Sequence, residues 1–287
     1  MRKSIFDLVA DKLDMEGDTY RLVTMAKGER TLCTNRHTYY SVFKFVDEFC
    51  FRDWKYRSHY INVDDFLEAL DLEELVKYAK WDIEAHLTLI ELIYNFWNLA
   101  HNMFEDEDFK ENLQWCGNFY HLKDVMDEIL EEYNHIVYTT EDKDYFIVVE
   151  NKAEVTAAAE IMPTAELSFD VIKYNHRSLK GEVDAKRAIL VSLGAELEPK
   201  RKVLQGINKQ LSEDIFFMLN NMNVRHNNCA ASDPGKYKEY VSKMTPEQLE
   251  EWYDELYQMM LLAVLLLDNV ERSAKVCGLK ANVTGGK

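Results

Sequence analysis

The sequence predicts a mainly α fold, a multi-helix bundle carrying one short β-hairpin. Three observations lead there. Apolar residues recur at helical spacing over most of the chain. Only 10 Gly and 4 Pro are spread over 287 residues, too little punctuation for a many-stranded β protein. Pro163, Pro199, Pro234 and Pro246 all lie in the second half, so no proline interrupts residues 1–162.

Taken in order, Ile5, Leu8, Val9 and Leu13 give residues 4–14 one apolar face, as in a short amphipathic helix. Residues 17–40 are less regular, and Arg21 to Met25 fits a strand or a helix. Val42, Phe43, Phe45, Val46 and Phe49 then set a helical stripe. A helix over 65–80 follows, with Asp64 as its N-cap. Residues 82–103 carry apolar side chains on most sides and read as a buried helix. The acids Glu105 to Asp108 precede a helix over roughly 109–134, whose positive end they favour.

Ile136-Val137-Tyr138 and Tyr145 to Val149 are β-rich runs around a polar Glu141 to Asp144 turn, the expected hairpin. Helices are expected next at 152–161, 165–177, 182–197 and 199–223. Thr245-Pro246-Glu247-Gln248 combines an N-cap, a first-turn proline and a capping-box glutamine, and opens a helix to about Lys275. Frayed residues are expected after it. The expected organisation is an acidic helical region at 1–135, the hairpin at 136–150 as a hinge, and a C-terminal helical bundle at 151–287.

The formal charge of −17 is uneven. Residues 1–170 hold 17 Lys/Arg against 36 Asp/Glu, whereas 171–210 hold nine against four. A field this negative argues against non-specific nucleic-acid coating, and any phosphate contact would use the basic stretch. Five separated cysteines without a C-x-x-C pair read as reduced thiols of a cytoplasmic protein. Asp7 comes too early for a secretory apolar segment. The longest apolar run, Met259–Leu267, is far short of a membrane span.

Most catalytic signatures are missing. No phosphate-binding glycine loop, nucleophile elbow or zinc-type cluster occurs, and no cofactor or metal is expected. Glu132-x-x-His135 has the spacing of half a di-iron motif, but no second copy accompanies it. His135 therefore reads as a helix-terminal histidine, and His86 and His101 as core residues.

One segment concentrates polar chemistry. Asn220 to Asn228 holds five asparagines, Arg225 and His226. Arginine presents a planar, permanently charged fork to a phosphate, and histidine transfers protons near neutral pH. With Asn223, Asn227 and Asn228 as orienting groups, these are ingredients for metal-free cleavage of an RNA phosphodiester. Lys180, Lys186, Arg187, Lys200, Arg201 and Lys202 are candidates to guide RNA toward them, or form a solvated helix face that balances the acidic half of the chain. The same string also suits a helix C-cap, because asparagine tolerates the left-handed conformation and cations complement the helix's negative end.

In layout, the last 120 residues resemble the HEPN superfamily of prokaryotic helical domains. Arg225 takes the place of the motif arginine, His226 that of the polar residue beside it, and helix 246–275 that of the closing helix. The resemblance implies a metal-independent endoribonuclease of phage defence or a toxin–antitoxin system. It also implies a homodimer through residues 246–275 that pairs two motifs. The motif's later histidine has no counterpart in Cys229-Ala230-Ala231-Ser232. Either His226 is the acid/base group, or the chain is a non-catalytic relative. The alternative function is an interaction protein that binds a basic protein partner through its acidic half. Tyr39, Tyr40, Phe51, Trp54, Tyr56 and Tyr60 would then be contact residues or core.

Overall fold

The computed structural model describes residues 14–28, 32–34, 38–72, 83–105, 113–115, 118–140 and 144–284. The helix expected at 4–14 and the hairpin turn at 141–143 lie outside them. The chain is mainly α-helical and divides into two compact units. The first comprises Met1–Thr139 and Lys143–Glu150; the second comprises Thr140–Asp142 and Asn151–Lys287.

In the first unit, helix α1 (Met15–Lys27) settles the ambiguous segment, with Asp14 capping it by accepting from the Gly17 N–H at 3.1 Å. Strands β1 (Leu32–Thr34), β2 (Tyr39–Tyr40) and β3 (Leu113–Trp115) form a small antiparallel sheet in the order β2-β1-β3. This sheet replaces part of the helix expected from 109, and α5 begins only at Asn118 (Asn118–Glu132). The aromatic run after Tyr40 makes one short helix, α2 (Val42–Phe45), then a π turn (Val46–Cys50) and two 3-10 turns. Phe51 is fully buried, and Tyr40 and Trp54 are nearly so, in a core of edge-to-face rings. Tyr39 and Tyr56 are exposed and Tyr60 is partly buried, so packing takes most of this aromatic group. Helix α3 (Val63–Ala69) starts earlier than expected because Asn62, not Asp64, accepts from the Asp65 N–H at 2.7 Å.

Helix α4 (Ile83–Glu105) is the expected buried helix, with Leu89, Ile90, Ile93, Phe96 and Ala100 fully hidden. It also explains where the hairpin lies. Strands β4 (His135–Tyr138) and β5 (Ile147–Glu150) pair antiparallel, Val137 opposite Val148. The outer edge of β5 would leave N–H groups bare, but α4 supplies acceptors. Asn95 exchanges both side-chain hydrogen bonds with the Phe146 backbone at 2.9 Å, and Glu91 accepts from the Val148 N–H at 2.7 Å. His86, on the same helix, is fully buried and bonds through Nδ1 to the Thr19 hydroxyl. Burial pulls its pKa down to about 4, so it is a neutral core imidazole at pH 7. His135 opens β4, its Nδ1 2.7 Å from the Tyr133 carbonyl. No group of three metal-ligating side chains occurs among the described residues.

The second unit is built of helices: α6 (Ala153–Glu160), α7 (Ala165–Lys173), α8 (Val183–Leu197), α9 (Arg201–Ile207), α10 (Lys209–Asn221), α11 (Glu239–Ser242) and α12 (Pro246–Thr284). The helix expected at 199–223 is broken at Asn208, whose side chain accepts from the Leu211 N–H at 3.1 Å and starts α10 afresh. The Thr245/Gln248 capping box is formed reciprocally, at 3.3 and 3.1 Å. Helix α12 runs to Thr284, past the frayed end expected after Lys275. Its Tyr253, Leu256, Met260 and Ala263 are fully buried within this unit. No helix among the described residues is long and apolar enough to cross a membrane.

Candidate functional site

The polar segment lies where α10 ends. Met222 closes the last turn by donating to the Met218 carbonyl at 2.9 Å, and Asn223 follows in the left-handed conformation with φ 59°. Asparagine is the non-glycine residue best suited there. The chain then reverses: Arg225 N–H donates to the Leu219 carbonyl at 3.0 Å, and the Val224 carbonyl accepts from Arg187 Nε at 2.9 Å. Tyr253 of α12 donates to the Asn223 carbonyl at 3.2 Å. Burial pushes that phenol up to about 12, keeping it a donor at neutral pH.

Asn228 is fully buried and organises the loop. Asn223 and Asn228 bond reciprocally, each backbone N–H donating to the other's side-chain oxygen, at 2.8 and 3.0 Å. The Asn228 amide also donates to the carbonyls of Asn220 (3.2 Å) and Lys236 (2.7 Å), and its own carbonyl accepts from the Lys238 N–H at 2.8 Å. Both amide hydrogens and the amide oxygen of Asn228 are thus engaged by the backbone. Asn227 is exposed, and its side chain accepts from the Cys229 N–H at 3.2 Å. The asparagines are therefore engaged in shaping the loop.

Arg225 is engaged too. One guanidinium nitrogen donates to the Gly194 carbonyl at 2.8 Å, and another pairs with the Glu198 carboxylate. Gly194 makes this approach feasible: a Cβ there would lie 3.3 Å from the Arg225 nitrogen and 3.0 Å from Leu219. The guanidinium also faces the buried Phe216 ring at 5.5 Å, and Arg201 covers the same ring at 4.3 Å. Arg201 reaches the other Glu198 oxygen at 3.8 Å. Two arginines thus share one carboxylate, and a phosphate seeking Arg225 would have to displace Glu198. Lys200 pairs with Glu196, and Lys202 is exposed. Lys200 and Arg201 are thus compensated by neighbouring acids, while Lys202 stays free of an ion pair among the described residues.

His226 is the motif side chain left most available. It is half-buried, and its Nε2 lies 3.4 Å from the Lys236 ammonium. A neutral imidazole can accept from that ammonium; an imidazolium cannot. The segment thus brings His226, Lys236 and the exposed Asn227 into one loop, while Arg225 and Asn228 face inward. Sequence reasoning missed Glu198, Gly194, Phe216 and Lys236. Nothing in their local patterns marks them, since each is tied to Arg225 or His226 across at least nine positions. The apolar face of α12 that was expected to seat a partner is consumed over residues 253–264 by the unit itself. No family model matches this chain, and no significant match is found to a curated protein or a solved structure.

Proposed function

We propose that this chain is an interaction protein whose N-terminal unit docks a basic protein partner. The carrying observation is the outer face of α5. Asp124, Asp127, Glu128, Glu131 and Glu132 are all exposed on a helix whose other side buries Leu122, Val125, Met126, Ile129 and Leu130. Only Asp127 is paired, to Lys123; among the described residues no cation pairs the other four. Residues 1–150 carry 16 Lys/Arg against 32 Asp/Glu, so this face sits in a field that attracts cations. A labelled Lys/Arg-rich peptide should bind, with affinity falling steeply as salt rises. Reversing Asp124, Glu128, Glu131 and Glu132 to lysine should weaken binding by at least about tenfold at low salt. Reversing Glu213, Glu251, Glu255 and Glu271 in the second unit should leave it within about twofold. Equal losses from both sets would reduce the effect to net charge and remove the proposal.

A second reading, the HEPN-like metal-independent endoribonuclease, is favoured by one observation: the half-exposed His226 beside Lys236. That pairing puts a proton-transfer group next to a cation able to hold a phosphate. Arg225 is a poor probe of it, because its removal also frees Glu198 and the Gly194 carbonyl. The informative variants are His226→Ala and Lys236→Ala, incubated with total and transfer RNA in excess EDTA. On this reading wild type cleaves and His226→Ala is slower by about a hundredfold or more. Intact RNA with wild type counts against it.

A further inference from the structure

The second unit carries an apolar groove of about 420 Å³ between the end of α10, the start of α11 and the first turns of α12. Its floor is Met218, Met222 and Val241, all nearly buried. Its walls are three aromatic rings that remain open to solvent: Phe217 is 63% exposed, Tyr240 74% and Trp252 44%. The volume falls within the range of small-molecule sites, and methionines on the floor let such a site adapt to its occupant.

Charge selects the occupant. Lys238 is the only ionised side chain lining the groove, and no acid lines it. The residue is half-buried and its backbone N–H donates to the Asn228 carbonyl, yet among the described residues its ammonium has no ion-pair partner. Among the described residues Lys186, Lys200, Lys209 and Lys243 of this unit pair with acids, whereas Lys238, like Lys202 and Lys236, does not; what sets Lys238 apart is its place in the lining of the groove. One cation in the lining of an acid-free aromatic groove, in a chain with 51 acids against 34 bases, is complementary to a single negative charge on an apolar body.

We propose that this groove binds a small amphipathic carboxylate, its apolar body between Phe217, Tyr240 and Trp252 and its carboxylate on Lys238. Calorimetric titration of the full chain with phenylbutyrate, and with phenylbutanol as the uncharged analogue, tests this. The carboxylate should bind at least about tenfold more tightly than the alcohol, the usual effect of one charge-assisted hydrogen bond. Lys238→Met, which keeps the apolar stem, should erase that difference while leaving alcohol binding unchanged. Phe217→Asp should abolish both. Phe217 is largely exposed, and circular dichroism of each variant verifies that the fold is intact. Equal affinity for acid and alcohol in wild type, or no heat from phenylbutyrate at millimolar concentration, overturns the proposal. So does a groove that takes no ligand but whose Phe217→Asp variant changes the oligomeric mass, since its occupant would then be a second copy of the chain.

Discussion

Asn228→Ala is expected to destabilise the second unit by about 3–5 kcal/mol. The substitution strands three main-chain groups at once: the Asn223 N–H and the carbonyls of Asn220 and Lys236. Asn228 is fully buried, so water cannot replace the lost partners without opening the loop. The matched control is Asn227→Ala, which removes one exposed cap on the Cys229 N–H and should cost under about 1 kcal/mol. Urea denaturation followed through Trp252, the sole tryptophan of residues 151–287, reads both. If the two variants unfold at the same midpoint, the loop is not held in the way its hydrogen bonds indicate.

The second large effect is expected at Lys186. Its side chain is 9% exposed, with its ammonium 2.8 Å from Glu250, 2.7 Å from Asp254 and 5.0 Å from the Tyr174 ring. Asp254 is half-exposed and contributes modestly, but Glu250 is 16% exposed and depends on this partner. Lys186→Ala should cost about 3 kcal/mol, most of it from leaving that carboxylate uncompensated. Lys186→Met combined with Glu250→Gln should recover a substantial part. The interaction also fixes a pH signature. Burial alone would raise the Glu250 pKa, but Lys186 and the Gly181 N–H outweigh it and hold the group below the ordinary glutamate range. A depressed carboxylate contributes its full stability above the unfolded pKa and loses it as pH falls through the folded one. Stability of wild type should therefore drop below about pH 4.5 more steeply than that of the Lys186→Met, Glu250→Gln pair. Parallel curves would show that Glu250 is not held by Lys186.

How much was legible in the sequence follows from the range of each interaction. Thr245 and Gln248 lie three apart, so their capping box could be read directly, and the α4 stripe and the β-rich hairpin runs were equally local. The break at Asn208 is also local, its side chain capping α10, but the apolar period continues through it and masks the break. Strand β3 was hidden for a different reason: it exists only because β1, about eighty residues earlier, pairs with it. In the candidate site the unusual composition of 220–228 was plain, and the cap reading of Asn223 is realised in its left-handed φ. What composition could not convey is that Arg225 reaches Glu198 and Gly194. An arginine with a free fork and one already engaged are identical in sequence; they differ only in what the rest of the chain brings alongside.

Helix α12 places two regimes on one continuous element. At about 58 Å it is long for a unit of this size, and residues 269–284 are exposed on every side. That stretch needs no nucleus of its own, since its helical geometry is inherited from the packed turns before it. Selection for packing therefore stops midway along the helix. Before Val264, a changed side chain must fit a filled interior. Val270 and Glu271 still line a cavity with Ile161, Met162 and Pro163, and Arg272 pairs with Asp268. Residues 273–284, by contrast, are all exposed and can be rewritten over evolutionary time at little cost to the unit that carries them.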